Sequence, residues 1–215
     1  MAISQVNSSE LTPLHFLAAH RHAEEYTDDL NRAMERCFAN YQIDGTTILA
    51  IDVSGSMGSV TSSKSSFSRM DLAFAMAALA TYIFEDLILV FTAGSDQARK
   101  GAHMVYHNGK GLSIFNEWRT IYQKLGGGGI FTHQLCEWLK DEGYAADADR
   151  LIVISDSQDV DAFYVTKKVP DTSPYENSYI IDISSHTHGI KTGNWTAEIN
   201  GRSDKLFHYI KELEN

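Results

Sequence analysis

No block of lysine and arginine occurs anywhere in this chain of 215 residues, whose 18 basic and 28 acidic side chains leave a formal charge of −10. A basic stripe is the electrostatic footprint of generic nucleic-acid binding, so its absence argues against that class. Long apolar runs are missing too: no stretch approaches the roughly 20 residues that a bilayer-spanning helix needs. Met1-Ala2-Ile3-Ser4-Gln5 lacks the basic and then apolar run of a secretory leader. The expectation is a soluble, cytoplasmic protein with no membrane partner. Cysteine is scarce. Cys37 and Cys136 stand far apart in predicted helices, which excludes a disulfide framework and predicts two reduced, partly buried thiols. Without secretion, the glycosylation patterns at Asn7-Ser8-Ser9 and Asn194-Trp195-Thr196 carry no meaning.

Several catalytic signatures are incomplete. Gly126-Gly127-Gly128-Gly129 is not followed by Gly-Lys-Ser/Thr, and His107-Asn108-Gly109-Lys110-Gly111 fails the same spacing, so a phosphate-cradling loop for nucleotide hydrolysis is not indicated. His186-Thr187-His188 places two imidazoles on one face without a third Cys or His nearby, which reads as an exposed polar loop before a zinc pair. Asp52 at a strand end would suit an aspartyl phosphotransferase, but the second acid two residues on is replaced by Ser54. Trp118, Trp138 and Trp195 read as packing residues and not as a stacking platform for bases.

What is present is a regular alternation. With 43% hydrophobic residues, the chain can build one large domain plus a modest extension. From about His15 to Tyr41, Phe16, Leu17, Leu30, Met34 and Phe38 recur at helical spacing among charges, predicting an amphipathic segment. Strands are expected at Thr46 to Val53, Asp86 to Thr92, His103 to His107 (short, at an edge), Arg150 to Asp156 and Ser178 to Ile183. Helices are expected from Arg69 to Phe84, Gly111 to Leu125, Thr132 to Glu142 and Ser203 to Leu213, the first of them apolar on most sides. Near-continuous apolar strands separated by helices predict an α/β fold: a doubly wound, mostly parallel sheet with helices on both faces.

In such sheets ligands gather beyond the carboxyl ends of the strands. Asp52, Ser54 and Ser56 follow the first strand and supply a carboxylate and two hydroxyls, hard oxygen donors suited to Mg²⁺, with Mn²⁺ or Ca²⁺ as alternatives. Asp156 ends a later strand, and Thr132 opens the helix after the glycines, where a helix N-terminus would offer free backbone N–H groups to an anion. All five are expected at one crevice. Asp156-Ser157-Gln158-Asp159 and Asp161 form an acidic cluster beside it that reads as solvated or as tuning the metal, and no Lys or Arg stands out near Asp52.

Asp52-Val53-Ser54-Gly55-Ser56, a threonine after glycines and an aspartate ending an apolar strand together resemble the metal-ion-dependent adhesion site of the von Willebrand factor type A domain. Leu11-Thr12-Pro13-Leu14-His15-Phe16-Leu17-Ala18-Ala19-His20, the helix with Leu30 and Ala33-Met34, and Gly45 resemble the junction between ring and A domain in the Ro ribonucleoprotein family, whose members carry a TROVE module. The resemblance implies residues 1–45 as a helical extension, a remnant of that junction, and 46–215 as the A-like domain. It implies Ser54 and Ser56 as direct metal ligands, Asp52 and Asp156 acting mainly through water, and Thr132 ligating when a partner is bound. Gly128 and Gly129 would set the backbone, with His133 as a neighbouring donor. Ile130-Phe131 separates Gly129 from Thr132, where the family has glycines directly before the threonine, so a lengthened loop is expected. In the family the ring binds small non-coding RNAs. That ring is largely missing here, so RNA is expected only indirectly, through a TROVE ring outside this chain.

Two functions follow. The first is a non-enzymatic domain that binds the acidic residue of a protein ligand through a divalent cation. The alternative is a metal-dependent phosphoryl-transfer or hydrolytic enzyme, which would need a positioned base or nucleophile and a group to stabilise developing charge.

Overall fold

The computed structural model describes residues 11–184, 190, 192–203 and 205–215; His186-Thr187-His188 lies outside them. The expected amphipathic segment is two helices, α1 (Pro13–His22) and α2 (Thr27–Phe38), joined by a 3-10 turn at Glu24–Tyr26. The break falls where the apolar stripe does, because nothing apolar and bulky lies between Leu17 and Tyr26. β1 (Ile43–Asp52) then leads to α3 (Arg69–Ile83), β2 (Phe84–Ser95), β3 (Lys100–Val105) and, after a 3-10 segment at Gly111–Glu117, α4 (Trp118–Leu125). α5 (Thr132–Asp141), β4 (Arg150–Ser155), α6 (Val160–Tyr164), β5 (Asn177–Asp182), β6 (Ala197–Asn200) and α7 (Lys205–Leu213) complete the chain.

The strands form one six-stranded sheet in the order β3-β2-β1-β4-β5-β6. All neighbours are parallel except the β2–β3 hairpin, which places β3 antiparallel at an edge. This is the doubly wound, mostly parallel sheet expected. Alternate residues of β1 enter opposite layers: Leu49 and Ile51 join α3, α4 and α7 on one side, while Ile48 and Ala50 meet Leu135, Cys136 and Leu139 of α5 on the other. Burial on both faces explains why the strand reads as a continuous apolar run. β6 and α6 were not anticipated. Ala197–Asn200 contributes four residues with one buried position, and α6 has five, too little pattern in either case for periodicity to register.

α3 lies at the centre of the larger layer. Ser68 caps it, its Oγ accepting from Asp71 N at 3.1 Å while Asp71 Oδ2 accepts from Ser68 N at 2.7 Å, a reciprocal cap that fixes where the helix starts. Its run of alanines among Leu72, Phe74, Met76 and Leu79 is fully buried between the sheet and the N-terminal helices. Phe16 of α1 and Leu30, Ala33, Met34 and Phe38 of α2 extend the same core, so residues 13–38 cover α3 instead of standing apart. Cys37 packs against this layer and Cys136 is enclosed in the other; the sheet lies between them, and both are free thiols. Burial pushes the Cys136 thiol up to about 12. Among the described residues no helix is long and apolar enough to cross a membrane.

Candidate metal site

The parallel register sets Ile51 of β1 beside Ile154 of β4, so both strands end at the same edge. There Ser155 Oγ donates to Asp52 Oδ2 at 2.6 Å, and Ser54 N donates to Asp52 Oδ1 at 2.7 Å. The second bond is the local turn chemistry that Asp-x-Ser favours after a strand. The first crosses the sheet and was not anticipated. Ser54 Oγ lies 3.1 Å from Ser56 Oγ, and Gly55 N donates to Gly128 O at 3.2 Å, which ties this loop to the run of glycines.

Asp52 and Asp156 are both fully buried. Burial first, and then the neighbouring Asp156 charge, push the Asp52 carboxyl up to about 7, against the pull of its hydrogen bonds. Asp156 Oδ2 accepts from Arg69 Nη1 at 2.6 Å, a buried ion pair, whereas Asp156 Oδ1 has no partner. The expectation that no arginine stands near Asp52 is therefore corrected. Arg69 is the first residue of α3, and the Ser68–Asp71 capping pattern was the signal that could have found it: in a βα unit, helix starts share the edge where the preceding strand ends.

Thr132 opens α5 as expected, fully buried, and its Oγ1 has no partner. Its backbone N, however, donates to Asp159 Oδ1 at 3.3 Å, and Gln134 N donates to Asp161 Oδ2 at 2.9 Å. Two N–H groups expected to be free for an anion are thus occupied by the protein's own carboxylates, which complement the helix end in the manner of a cap. The solvated reading of the acidic cluster fails for the same reason, since Asp156, Asp159 and Asp161 are all enclosed. Burial pushes the Asp159 carboxyl up to about 7 despite three backbone N–H bonds that oppose it.

The lengthened loop is held, not loose. Ile130 forms a parallel bridge to Asp159 and is fully buried, as is Phe131. The Phe131 ring lies over the paired Gly94 and Gly101 of the β2–β3 hairpin, where a Cβ on Gly94 would stand 2.5 Å from a ring carbon. Burying such a ring contributes roughly 1.5–3 kcal/mol and anchors Thr132 beside it. Gly128 N donates to Gly94 O at 2.9 Å and Gly129 N to Asp96 Oδ1 at 2.7 Å, so both glycines are fixed through their backbones. His133 is half-buried and its Nδ1 makes no hydrogen bond.

Asp52, Ser54, Ser56 and Asp156 thus share one bonded or charge-coupled group. Thr132 joins the same edge through Asp159 and the Gly128–Gly55 bond. Among the described residues no three His, Cys, Asp or Glu side chains converge as a metal-ligand set, so a cation here would depend on hydroxyls as much as on carboxylates. The donors present suit a small hard ion and no soft one.

No family model and no curated protein matches the chain. Among solved structures, it is similar to the crystal structure of the Deinococcus radiodurans Ro (RSR) protein, with a TM-score of 0.57 at 15% identity over 99% of this chain. The chain spans 45% of the length of that protein. At this identity the likeness shows a shared fold.

Proposed function

We propose that this chain is a non-enzymatic, metal-dependent interaction domain that binds an acidic residue of a protein ligand through a divalent cation, Mg²⁺ or else Mn²⁺ or Ca²⁺. Asp52, Ser54, Ser56, Thr132 and Asp156 would hold the ion, with His133 alongside. The observation that carries this reading is the pair of buried, unpartnered oxygens, Thr132 Oγ1 and Asp156 Oδ1, at the same edge as the facing Ser54 and Ser56 hydroxyls. An orphaned buried polar group costs about 1–3 kcal/mol, so such atoms mark a missing partner. When bound, the cation supplies a positive charge able to attract an external carboxylate. Arg69 already neutralises part of Asp156, which leaves less protein charge to quench that attraction.

The enzyme alternative gains a cation in Arg69, but its Nη1 is committed to Asp156, and both oxygens of Asp52 accept hydrogen bonds. Among the described residues, no histidine or lysine is hydrogen-bonded to the Ser54, Ser56 or Thr132 hydroxyl to activate it as a nucleophile. The Ro-like fold and the motif resemblance support a further placement: residues 1–45 as a junction extension and 46–215 as a von Willebrand factor A-like domain of a cytoplasmic, Ro-like protein. RNA would then be reached only indirectly, through a TROVE ring outside this chain, and pull-down with such a ring supplied in trans tests that part.

The central test is calorimetric titration of the native chain and of Asp52→Ala with Mg²⁺ and Mn²⁺. A saturable heat from the native protein that is lost in the variant is expected. Equal heats would sink the metal site.

A further inference from the structure

Beside the metal loop lies a cavity of about 620 Å³, within the usual range for ligand pockets. One wall is α1, another the first turn of α3, and the third α4 with the 3-10 segment before it; Gly55 and Gly58 of the metal loop complete the lining. The floor is aromatic: Phe74 and Phe115 sit with ring centroids 5.7 Å apart, with Leu17 and Met70 around them. At the rim Trp118 is 41% exposed, with the Arg119 guanidinium 5.5 Å from its ring centroid, and Tyr122 is also exposed. Asp71 lines the cavity but is held by Arg21 and by Ser68 N, so its charge is not bare.

We infer that this cavity receives an aromatic side chain of the protein ligand, one adjacent in sequence to the acidic residue that meets the cation. The inference rests on the metal-dependent reading above and names the partner's chemistry. Three observations select this occupant. The floor and rim offer ring faces and edges, which pair with another aromatic ring better than with an aliphatic chain. Arg119 adds a cation that favours an electron-rich ring. Gly55 belongs both to the Asp52–Ser56 motif and to the cavity lining, so one short peptide segment can engage both. A formal charge of −10 also means that a ligand offering carboxylates alone is repelled at long range, so apolar contact is needed for affinity. The N-terminal helices thereby gain a role beyond covering α3: α1 supplies a wall of the specificity pocket.

The test uses capped dipeptides, Asp with Trp in both orders, Asp with Ala, and Asn with Trp, titrated into the full chain with Mg²⁺ or with EDTA and followed by calorimetry. An Asp-and-Trp peptide is expected to bind at least tenfold more tightly than the Asp-and-Ala peptide, and only with Mg²⁺. Trp118→Ala, at an exposed rim position, and Gly58→Leu, where a Cβ meets nothing within 4 Å, are expected to abolish that preference while Mg²⁺ still titrates. Equal binding of the Ala and Trp peptides, or an unchanged preference in both variants, overturns the pocket with the metal site intact. No Mg²⁺ heat in the native chain overturns the metal reading. Tight binding of Asn-and-Trp without metal then shows an aromatic pocket uncoupled from a cation, which also overturns the inference.

Discussion

Arg69 Nη1 donates to Asp156 Oδ2 at 2.6 Å across the carboxyl edge of the sheet, joining the first residue of α3 to the end of β4 in a buried ion pair. The pair has two consequences. It supports the burial of one carboxylate, and it leaves the other oxygen of that carboxylate open.

Replacing Arg69 by Met should leave Asp156 buried without its counter-charge. Breaking one side of a buried pair costs about 3–5 kcal/mol. Melting in EDTA is expected to show that loss. Mg²⁺ should then raise the melting temperature of Arg69→Met more than that of the native chain, because the ion takes over the neutralising role. An equal Mg²⁺ shift in both proteins counts against a cation beside Asp156.

Thr132→Val separates a structural role from a ligating one. The Thr132 hydroxyl has no partner, so the isosteric apolar change should leave metal-free stability within about 0.5 kcal/mol or raise it slightly. Mg²⁺ affinity by calorimetry should fall about tenfold, a loss of about 1.4 kcal/mol. Destabilisation with unchanged affinity would assign Thr132 to packing alone.

Stability should depend on pH through Asp52 and Asp159, each pushed up to about 7. A carboxyl whose folded value lies above its unfolded one keeps its proton longer in the fold. Its contribution is therefore fully present below the unfolded value and is lost as pH rises through about 7. In EDTA, the midpoint of urea unfolding is expected to fall between pH 5 and pH 8, with Asp52→Asn reducing the slope and Asp159 supplying the remainder. Mg²⁺ should oppose the fall, most strongly at pH 8. A metal effect that is larger at pH 5 contradicts this.

Arg150 anchors the far end of the chain. Its Nε and Nη2 donate to Glu214 at 3.0 and 2.7 Å, while Nη1 donates to Thr47 Oγ1 and Asp44 O. Glu214→Gln removes the counter-charge and leaves the last two bonds, so a loss of about 3 kcal/mol is expected in urea unfolding, with Mg²⁺ affinity unchanged. A loss within experimental error would mean that α7 docks through Phe207 and Ile210 alone.

Much of the fold was legible in the sequence because its signals are local. The runs at β1, β2, β4 and β5 and the apolar helix α3 carry their pattern within six to fifteen residues, and their alternation implies a parallel sheet. Asp52, Ser54 and Ser56 were legible for the same reason, lying within five residues of one another at a strand end. The division of the N-terminal segment at Glu24–Tyr26 and the short β6 lacked such a pattern.

Residue type and spacing by themselves determined the layer architecture, the strand-end position of the carboxylates and the hard-oxygen character of the donor set. Only the tertiary structure decided which charges remain available there. Arg69 reads as one exposed-looking residue at a helix start until α3 docks and brings it onto Asp156. Asp159 and Asp161 read as solvated until α6 folds against α5 and turns them onto the Thr132 and Gln134 N–H groups. The physical reason is that side-chain identity is local, whereas desolvation and charge pairing depend on neighbours remote in sequence. Those neighbours decide whether a carboxylate is free, capped or waiting for a cation.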